Sequence, residues 1–412
     1  MSKKPLRFAV VGPGRSSGVG AGRGRVFINS SAAMPSQIQL VAICDLDQGT
    51  CAQWEERGDV RVYQDYSKLL EADDIDAVCI STPVNYHAKQ SLEALNAGKH
   101  VLSEVPSAYS LEECYALVEA VERTGLVYML AENYCFRREV MMVDEMVKRG
   151  VFGDLISTEG NYVHDTRDLH FDTNGELTWR GKLQFTHRGN FYPTHSFGPM
   201  CKWLDINHSD RLKTLAAFTS PSLSGADYVK RNMGADHPLA DAEKWVRPNL
   251  VTVIFNTEKG VLGEHKLDGL SPRPHDMTQY ALQGTRASFM TNIKESASPL
   301  VWIQDRSSTS ATGVARDWDE LWKYADEYEH PLWRDFGEQA LKAGHGGSDF
   351  FILREFCAAV AENRPPVIDV YDAVTWSSVS PLSTQSIETG NMPVAIPNFK
   401  LRGSISLRIR CG

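Results

Sequence analysis

Up to residue 131 the chain alternates short apolar runs with stretches of helical spacing, and this restricts the fold more than any other feature. Leu6–Val11, Ile38–Ile43, Ala77–Ser81, His100–Leu102 and Leu126–Leu130 read as strands. Between them, His87–Ala97 and Leu111–Arg123 carry apolar residues three and four apart. Strands apolar on both faces belong to a sheet covered by helices on both sides. The pattern predicts an α/β domain over residues 1–131, a doubly wound parallel sheet.

After Ala131 the texture changes. Val140–Arg149 reads as a helix closed by Gly150. Strands with polar alternation follow at Leu155–Tyr162, Leu215–Phe218, Leu250–Phe255, Val261–Lys266 and Gln279–Leu282. One polar face per strand predicts an open, mostly antiparallel sheet. Asp349–Ala361 and Ala373–Glu388 read as helices packed back on the assembly, so residues 132–400 are expected to form an α+β substrate domain. The segment 401–412 departs from this pattern and reads as an extension or cloning scar.

A length of 412 residues with 42% hydrophobic side chains suits two cores. The formal charge of −9 argues against a nucleic-acid partner, which needs clustered Lys and Arg. No apolar run approaches the roughly 18 residues of a membrane span, and Met1 to Leu6 leads into a strand rather than a signal segment. The expectation is a cytoplasmic protein with no membrane partner. The eight cysteines form no CxxC pair, and most sit in apolar runs such as Ala77-Val78-Cys79-Ile80. They are expected to be reduced and buried, with no metal site.

The first strand runs into Gly12-Pro13-Gly14-Arg15-Ser16-Ser17-Gly18. Glycines here let the backbone approach a pyrophosphate, and the following helix offers N–H groups and its positive dipole end. Gly12, Gly14, Arg15 and Ser16 are the candidate contacts. Ser17 stands where the third glycine of GxGxxG belongs, and further glycines follow at 20, 22 and 24. The second strand leads to Asp45, where an acid accepts bonds from the adenosine ribose hydroxyls and repels a 2′-phosphate, so NAD is expected over NADP. The gap from Gly14 to Asp45 exceeds the usual ~20 residues because of the glycine-rich insertion.

Ser81-Thr82-Pro83-Val84-Asn85-Tyr86-His87 and the run Ala94 to Glu104 resemble the Gfo/Idh/MocA oxidoreductases, and the resemblance covers nearly the whole chain to about residue 400. It implies a Rossmann domain joined to an α+β domain. It also implies Thr82, Pro83, Asn85, His87, Glu104 and Asn133 on the cofactor side, and a homo-oligomer, dimer or tetramer, formed through the open sheet. In that family's dehydrogenases a lysine follows the glutamate and helps move the substrate proton; here the triplet is Glu104-Val105-Pro106. Valine cannot exchange a proton. Phe191, four residues before His195, stands where those dehydrogenases often carry an aspartate.

Both departures resemble the NAD-dependent glycosidases of glycoside hydrolase family 109, of the alpha-N-acetylgalactosaminidase type. So do Ala131–Tyr134, Glu159–Asp165, Trp179-Arg180, Tyr192–Pro199 and Gly344–Phe350. Within Tyr192–Pro199 that family usually has glycine at Ser196 and an aliphatic at Phe197, changes expected to bear on the glycan more than on the chemistry. The resemblance implies oxidation of the sugar at C3, removal of the C2 proton, elimination of the C1 aglycone, addition of water and return of the hydride. It gives Tyr162 as the C2 base, Tyr192 with His195 near the C3 hydroxyl, and Glu132 orienting them. Arg180, Trp179, Tyr280 and His164 fall on the substrate side, His164 as a partner for Tyr162. A phenol of pKa near 10 needs such help to act as a base at neutral pH.

Three rivals remain: a sugar or inositol dehydrogenase with exchanging NAD, a non-catalytic NAD-binding sugar sensor, and a carboxylate glycosidase using Asp165, Asp168 or Asp172. Sequence spacing alone cannot pair those acids. Asp45→Ser is expected to weaken NAD binding and improve NADP binding, measured by titration of both; an unaltered preference removes Asp45 from the site.

Overall fold

The computed structural model describes residues 4–14, 22–274, 276–294, 296–342 and 345–400. The first sheet is built from β1 (Leu6–Val11), β2 (Ile38–Cys44), β3 (Arg61–Tyr63), β4 (Ala77–Ile80), β5 (His100–Ser103) and β6 (Tyr128–Leu130). Their order is β3-β2-β1-β4-β5-β6, and every pairing is parallel. This is the doubly wound order in which the chain reverses direction beside β1, leaving a crevice at the carboxyl ends of β1 and β4. The edge strand β3 escapes sequence reading because it is only Arg-Val-Tyr, too short to show a period.

Helices α1 (Gly24–Ala32), α2 (His87–Asn96) and α3 (Leu111–Thr124) cover this sheet. The bounds of α3 follow from local chemistry: Ser110 and Glu113 form a reciprocal capping box at its start, and Gly125 at φ 66° ends it. At the start of α1 glycine is obligatory for a different reason. A Cβ on Gly24 would lie 2.7 Å from Val10 Cγ1 and 2.9 Å from Pro13 Cα, and one on Gly22 would lie 2.1 Å from the Pro13 carbonyl oxygen. Gly24 therefore does the work of the third glycine that Ser17 does not supply, letting the helix close on the strand and its loop.

The second sheet contains β7 (Leu155–Val163), β8 (Leu212–Thr219), β9 (Leu250–Thr257), β10 (Leu262–Asp268), β11 (Asp276–Gly284), β12 (Ala287–Met290), β13 (Leu300–Ile303), β14 (Asp319–Glu320) and β15 (Val394–Ala395). The order is β14-β13-β12-β11-β7-β10-β9-β8-β15; β7 and β10 pair parallel and the other neighbours antiparallel. One face packs on helices, among them α4 (Arg138–Lys148), α5 (Thr194–Trp203) and α8 (Val379–Glu388), whereas α6 (Ser348–Glu362) lies against α1, and α7 (Val370–Ser377) against α3 and β6. The other face is open, and Phe218, Ile254, Leu262 and Met290 are exposed on it. No helix among the described residues is long and apolar enough to cross a membrane.

The segment expected as one helix, Ala373–Glu388, is two, breaking at Ser378. Pro381 has no N–H to offer the Ser377 carbonyl, so the ladder is interrupted there. The first of the two, α7, lies against the Rossmann layer: Ser107 N–H donates to Ser377 Oγ at 3.0 Å, and the Cys114 thiol to the Val374 carbonyl at 3.7 Å. One buried apolar cluster runs from Phe8 and Val10 through Leu117 to Val374, Val253 and Phe255, so both sheets share a core. The described cysteines are free and buried, and no cluster of metal-ligating side chains occurs among the described residues.

Gly24→Ala is expected to force α1 from β1 and to cost on the order of 1–3 kcal/mol, the usual size of an overpacking penalty. Denaturant unfolding measures it; a loss within a few tenths of a kcal/mol contradicts the close-approach argument.

Candidate active site

A cavity of ≈ 750 Å³ opens at the carboxyl ends of β1, β2, β4 and β5. Its floor includes Gly12, Ser81, Thr82 and Asp45. Gly12 has φ +77°, and a Cβ there would press to 2.9 Å from the Ser81 carbonyl oxygen. With Gly22 and Gly24 it makes a cradle that side chains would fill, the shape a pyrophosphate requires. Asp45 sits just past β2 with one carboxylate oxygen accepting from Gly14 N–H and the other from Asp47 N–H, both at 3.0 Å. The residues present fit a dinucleotide. The far end of the cavity is walled by Glu104, Val105, Trp179, Arg180 and Tyr192.

Beside Tyr192 lies a tight group of polar rings. Tyr162 is on β7, two residues after Gly160, and so shares its face of the strand. A Cβ on Gly160 would be 3.0 Å from Ser196 Cβ and Met200 Cε, so glycine lets α5 lie directly against β7. That brings His195, in the first turn of α5, to a ring separation of 5.1 Å from Tyr162 and 5.0 Å from Tyr192; the two tyrosines are 5.6 Å apart. Tyr134 packs on the same imidazole at 4.2 Å.

His195 is held from behind. Its Nδ1 lies 2.7 and 3.0 Å from the two oxygens of Glu132, a residue with no solvent exposure. Tyr134 N–H donates to the same carboxylate at 3.0 Å. Gly198 makes room, since a Cβ there would come within 2.9 Å of Glu132 Cγ. The pairing fixes the tautomer with Nε2 turned toward the tyrosines, as a carboxylate does for a catalytic histidine. Among the described residues the Tyr162 and Tyr192 hydroxyls, His195 Nε2 and the Arg180 guanidinium have no hydrogen-bond partner. Four unspent polar tips around one space suit a ligand rich in hydroxyls. Burial pushes both phenols above their ordinary pKa; for Tyr162 the nearby Arg180 charge opposes this most.

The comparisons with known proteins agree with this anatomy. Residues 6–132 match the oxidoreductase family with an NAD-binding Rossmann fold, and residues 136–405 match the C-terminal domain of glycosyl hydrolase 109. The chain is 34% identical over 380 residues to a glycosyl hydrolase family 109 protein of Shewanella sp. (strain W3-18-1), covering 88% of this chain and 80% of that protein. The chain belongs to glycosyl hydrolase family 109. An alpha-N-acetylgalactosaminidase of Shewanella oneidensis is related to the same degree, 34% identical with the same coverage. In three dimensions this family 109 chain resembles a levoglucosan dehydrogenase in complex with NADH and L-sorbose, with TM-score 0.75 and 20% identity over 96% of this chain and all of that one. At that identity the likeness concerns the fold. By its two family matches, the family 109 chain is an enzyme with an NAD-binding oxidoreductase fold, and its cofactor is NAD.

Several expected contacts are placed elsewhere in this family 109 fold. Tyr280 is buried among Trp203 and other apolar side chains, and its hydroxyl donates to the His195 backbone carbonyl. It sets the start of α5 and does not line the sugar side. His87 does line the cavity, and its two ring nitrogens each lie 2.8 Å from a carbonyl oxygen, those of Pro106 and Thr82, so it also braces that wall. Burial lowers its pKa against those two bonds. Asn85 is exposed and off the cavity wall, while Asn133 lines a separate groove near Arg137 and Trp333. Thr82 and Pro83 line the cavity. Arg15 and Ser16 lie outside the described residues.

His164 meets Tyr162 edge-on at 5.8 Å, and the Arg180 guanidinium stacks on the Trp179 ring at 4.2 Å. Ser196 and Phe197 are fully buried, Phe197 against Phe255 and His265, so these departures from the family form bear on packing rather than on the sugar. Phe191 carries the Arg247 guanidinium on its ring at 4.0 Å; burial pushes that arginine down to about 9, against the opposing pull of Asp268. The acids once considered as a carboxylate pair are occupied or remote: Asp165 pairs with Arg167 at 2.7 Å, Asp172 accepts two turn N–H groups, and Asp168 faces solvent. Arg23 and Asp349, joined at 2.8 Å, were not legible as site residues because 326 positions separate them.

Glu132→Gln is expected to keep bound NAD and to lower kcat by roughly 10²–10⁴, the range for losing one acid–base function. Steady-state kinetics on a hydrolysed glycoside measures it, and an unchanged kcat removes Glu132 from the mechanism.

Proposed function

We propose that this enzyme is an NAD-dependent glycoside hydrolase that acts on N-acetylgalactosaminides or related hexosides and ends each turnover with its NAD unchanged. The observation that carries the reading is the pairing of an intact Tyr162–Tyr192–His195–Glu132 group with valine, not lysine, beside Glu104. Valine at 105 supplies no group to carry a hydroxyl proton away at the end of the cavity walled by Glu104 and Tyr192, and Asp165, Asp168 and Asp172 form no free pair of carboxylates to open an acetal directly. The sugar preference is supported by the relative from Shewanella oneidensis. It is also supported by Arg180, whose planar fork of donors suits ring hydroxyls or an acetamido carbonyl.

When bound, NAD supplies a reversible hydride acceptor for C3 of the sugar. The chain's residues then do the proton work. Tyr192 and His195 accept the C3 hydroxyl proton, Glu132 stabilising the imidazolium that forms. The C3 ketone makes the C2 hydrogen acidic, and Tyr162 takes it. Burial opposes the phenolate this requires, and Arg180 offsets that cost by placing a positive charge beside it. The C2–C1 double bond forms as the aglycone departs with a proton from water; the hydroxide left adds at C1 while Tyr162 returns its proton to C2, and Tyr192 with His195 would return the O3 proton as C3 is re-reduced. Atoms and electrons balance as net hydrolysis.

The exposed Phe218, Ile254, Leu262 and Met290 on the open sheet support a homo-oligomer formed through that face. Removing apolar area of this kind from water is the ordinary driving force for association.

The discriminating experiment is a panel of chromogenic glycosides, both anomers of galactose, glucose and their N-acetylamino forms, with NADH followed in parallel. The expected result is aglycone release on at least one sugar without accumulation of NADH. Steady NADH formation from a free sugar replaces this reading with a dehydrogenase; NAD binding with no turnover on any sugar replaces it with a sensor.

A further inference from the structure

One buried cation near the tyrosines has no part in the chemistry above. Arg247, three residues before β9, is 1% exposed. Burial pushes it down to about 9, so it still carries its charge at neutral pH. A charge in such a place is costly unless its donors are met and an anion offsets it. Here Nη1 donates to the Gln184 side-chain oxygen at 3.0 Å, while Nε and Nη2 have no hydrogen-bond partner among the described residues. Asp268 pulls against the burial, but its Oδ1 is already occupied by the N–H groups of Leu270 and Ser271 at 3.1 and 2.9 Å.

The fold fixes where this charge sits. Arg247 N–H also donates to the Gln184 backbone carbonyl at 3.0 Å, and the Gln184 amide donates to the Arg180 carbonyl at 3.0 Å. Gln184 follows the short helix Trp179–Leu183, so the two arginines are tied together through it. The guanidinium rests on the Phe191 ring at 4.0 Å and against the Gly269 backbone, where a Cβ would come 3.0 Å from Nη2. Both supports lead to Tyr162. Gly269 directly follows β10, whose Leu267 pairs with Tyr162 on β7. The Phe191 ring lies 5.9 Å from that of Tyr192, which lies 5.6 Å from that of Tyr162.

We propose that Arg247 is a positioning residue whose buried guanidinium, held by Gln184 and Phe191, is a second positive charge stabilising the anion that forms at Tyr162. The proposal deepens the elimination mechanism and rests on Tyr162 as its base. Arg180 lines the cavity and is half-buried, so solvent weakens its charge, whereas Arg247 is screened far less. Burial raises the Tyr162 phenol; Arg180 opposes this most, Glu132 adds to it, and Arg23 and Arg247 act with Arg180. His164, Tyr192 and His195 are the other titratable rings against it. The unmet charge of Arg247 costs the resting enzyme and is relieved as the phenolate appears. A fixed charge of this kind, placed where negative charge develops, acts on the transition state rather than the ground state.

The test uses the full-length holoenzyme with a fluorinated tyrosine in place of Tyr162, whose lower intrinsic pKa brings its ionisation into a mild pH range. Fluorine NMR reads that ionisation with no sugar present. Two variants remove the net charge by different routes. Arg247→Gln deletes the guanidinium; Phe191→Asp keeps its bonds to Gln184 and sets a carboxylate beside it. In both, the ionisation constant of the fluorinated ring is expected to fall about tenfold, the lower end for losing a nearby opposite charge. If Arg247→Gln gives too little folded protein, Arg247→Met takes its place. No change in either variant overturns the proposal. A fall confined to the Arg247 variant also overturns it, making the arginine only a brace for Arg180. A fall confined to Phe191→Asp does so too, as direct repulsion by the new carboxylate. Since no sugar enters, absence of glycosidase activity would remove Tyr162 as the base and leave this result standing.

Discussion

A carboxylate stripped of water is tolerated only when its lone pairs are met, and the site is arranged around one such group. Glu132 lies just past the last strand of the first sheet, and His195 lies on a helix beneath the second; their hydrogen bond at 2.7 Å is where the two sheets meet chemically. Everything nearby serves that approach. Gly198 clears space for Glu132, Gly160 lets α5 settle on β7, and the Tyr280 hydroxyl holds the carbonyl of His195 itself. Moving any of these by the width of a methyl group would turn Nε2 away from Tyr162 and Tyr192.

The electrostatic character of the site follows from the same burial. Two phenols kept from water resist ionisation, and the charges that relieve them are arginines rather than a titrating lysine. Arginine can stabilise a developing anion but does not give up its own proton at neutral pH. Such a site can shuttle protons between tyrosine, histidine and sugar, yet is poorly equipped to export one to solvent. That matches a closed cycle of oxidation and re-reduction better than a net oxidation.

Much of this was legible in the sequence, for identifiable reasons. Five of the six parallel strands announce themselves as apolar runs, and the three- and four-residue spacing of apolar side chains marks α2 and α3. Asp45 was recognisable because its position after β2 is dictated by topology. The cluster of Tyr162, Tyr192, His195 and Glu132 was named from resemblance to family segments and is brought together by the fold. Where the sequence misled, tertiary packing intervened: Tyr280 has the composition of a pocket residue but spends its hydroxyl on a backbone carbonyl. The Arg23–Asp349 pair had no local signature, because contacts between distant segments leave none. Pro381, by contrast, was a readable break that helical periodicity on either side concealed.

The central claim is that the glycosidic bond is broken by elimination, which requires the C2–H bond to break and re-form in every turnover. Hydrolysis in D2O followed by NMR or mass analysis of the released sugar tests this directly. The account predicts deuterium at C2 of the product, with the C3 hydrogen retained because it returns from the cofactor. A hydrolysed product with no deuterium at C2 would contradict the mechanism and point to direct displacement at C1.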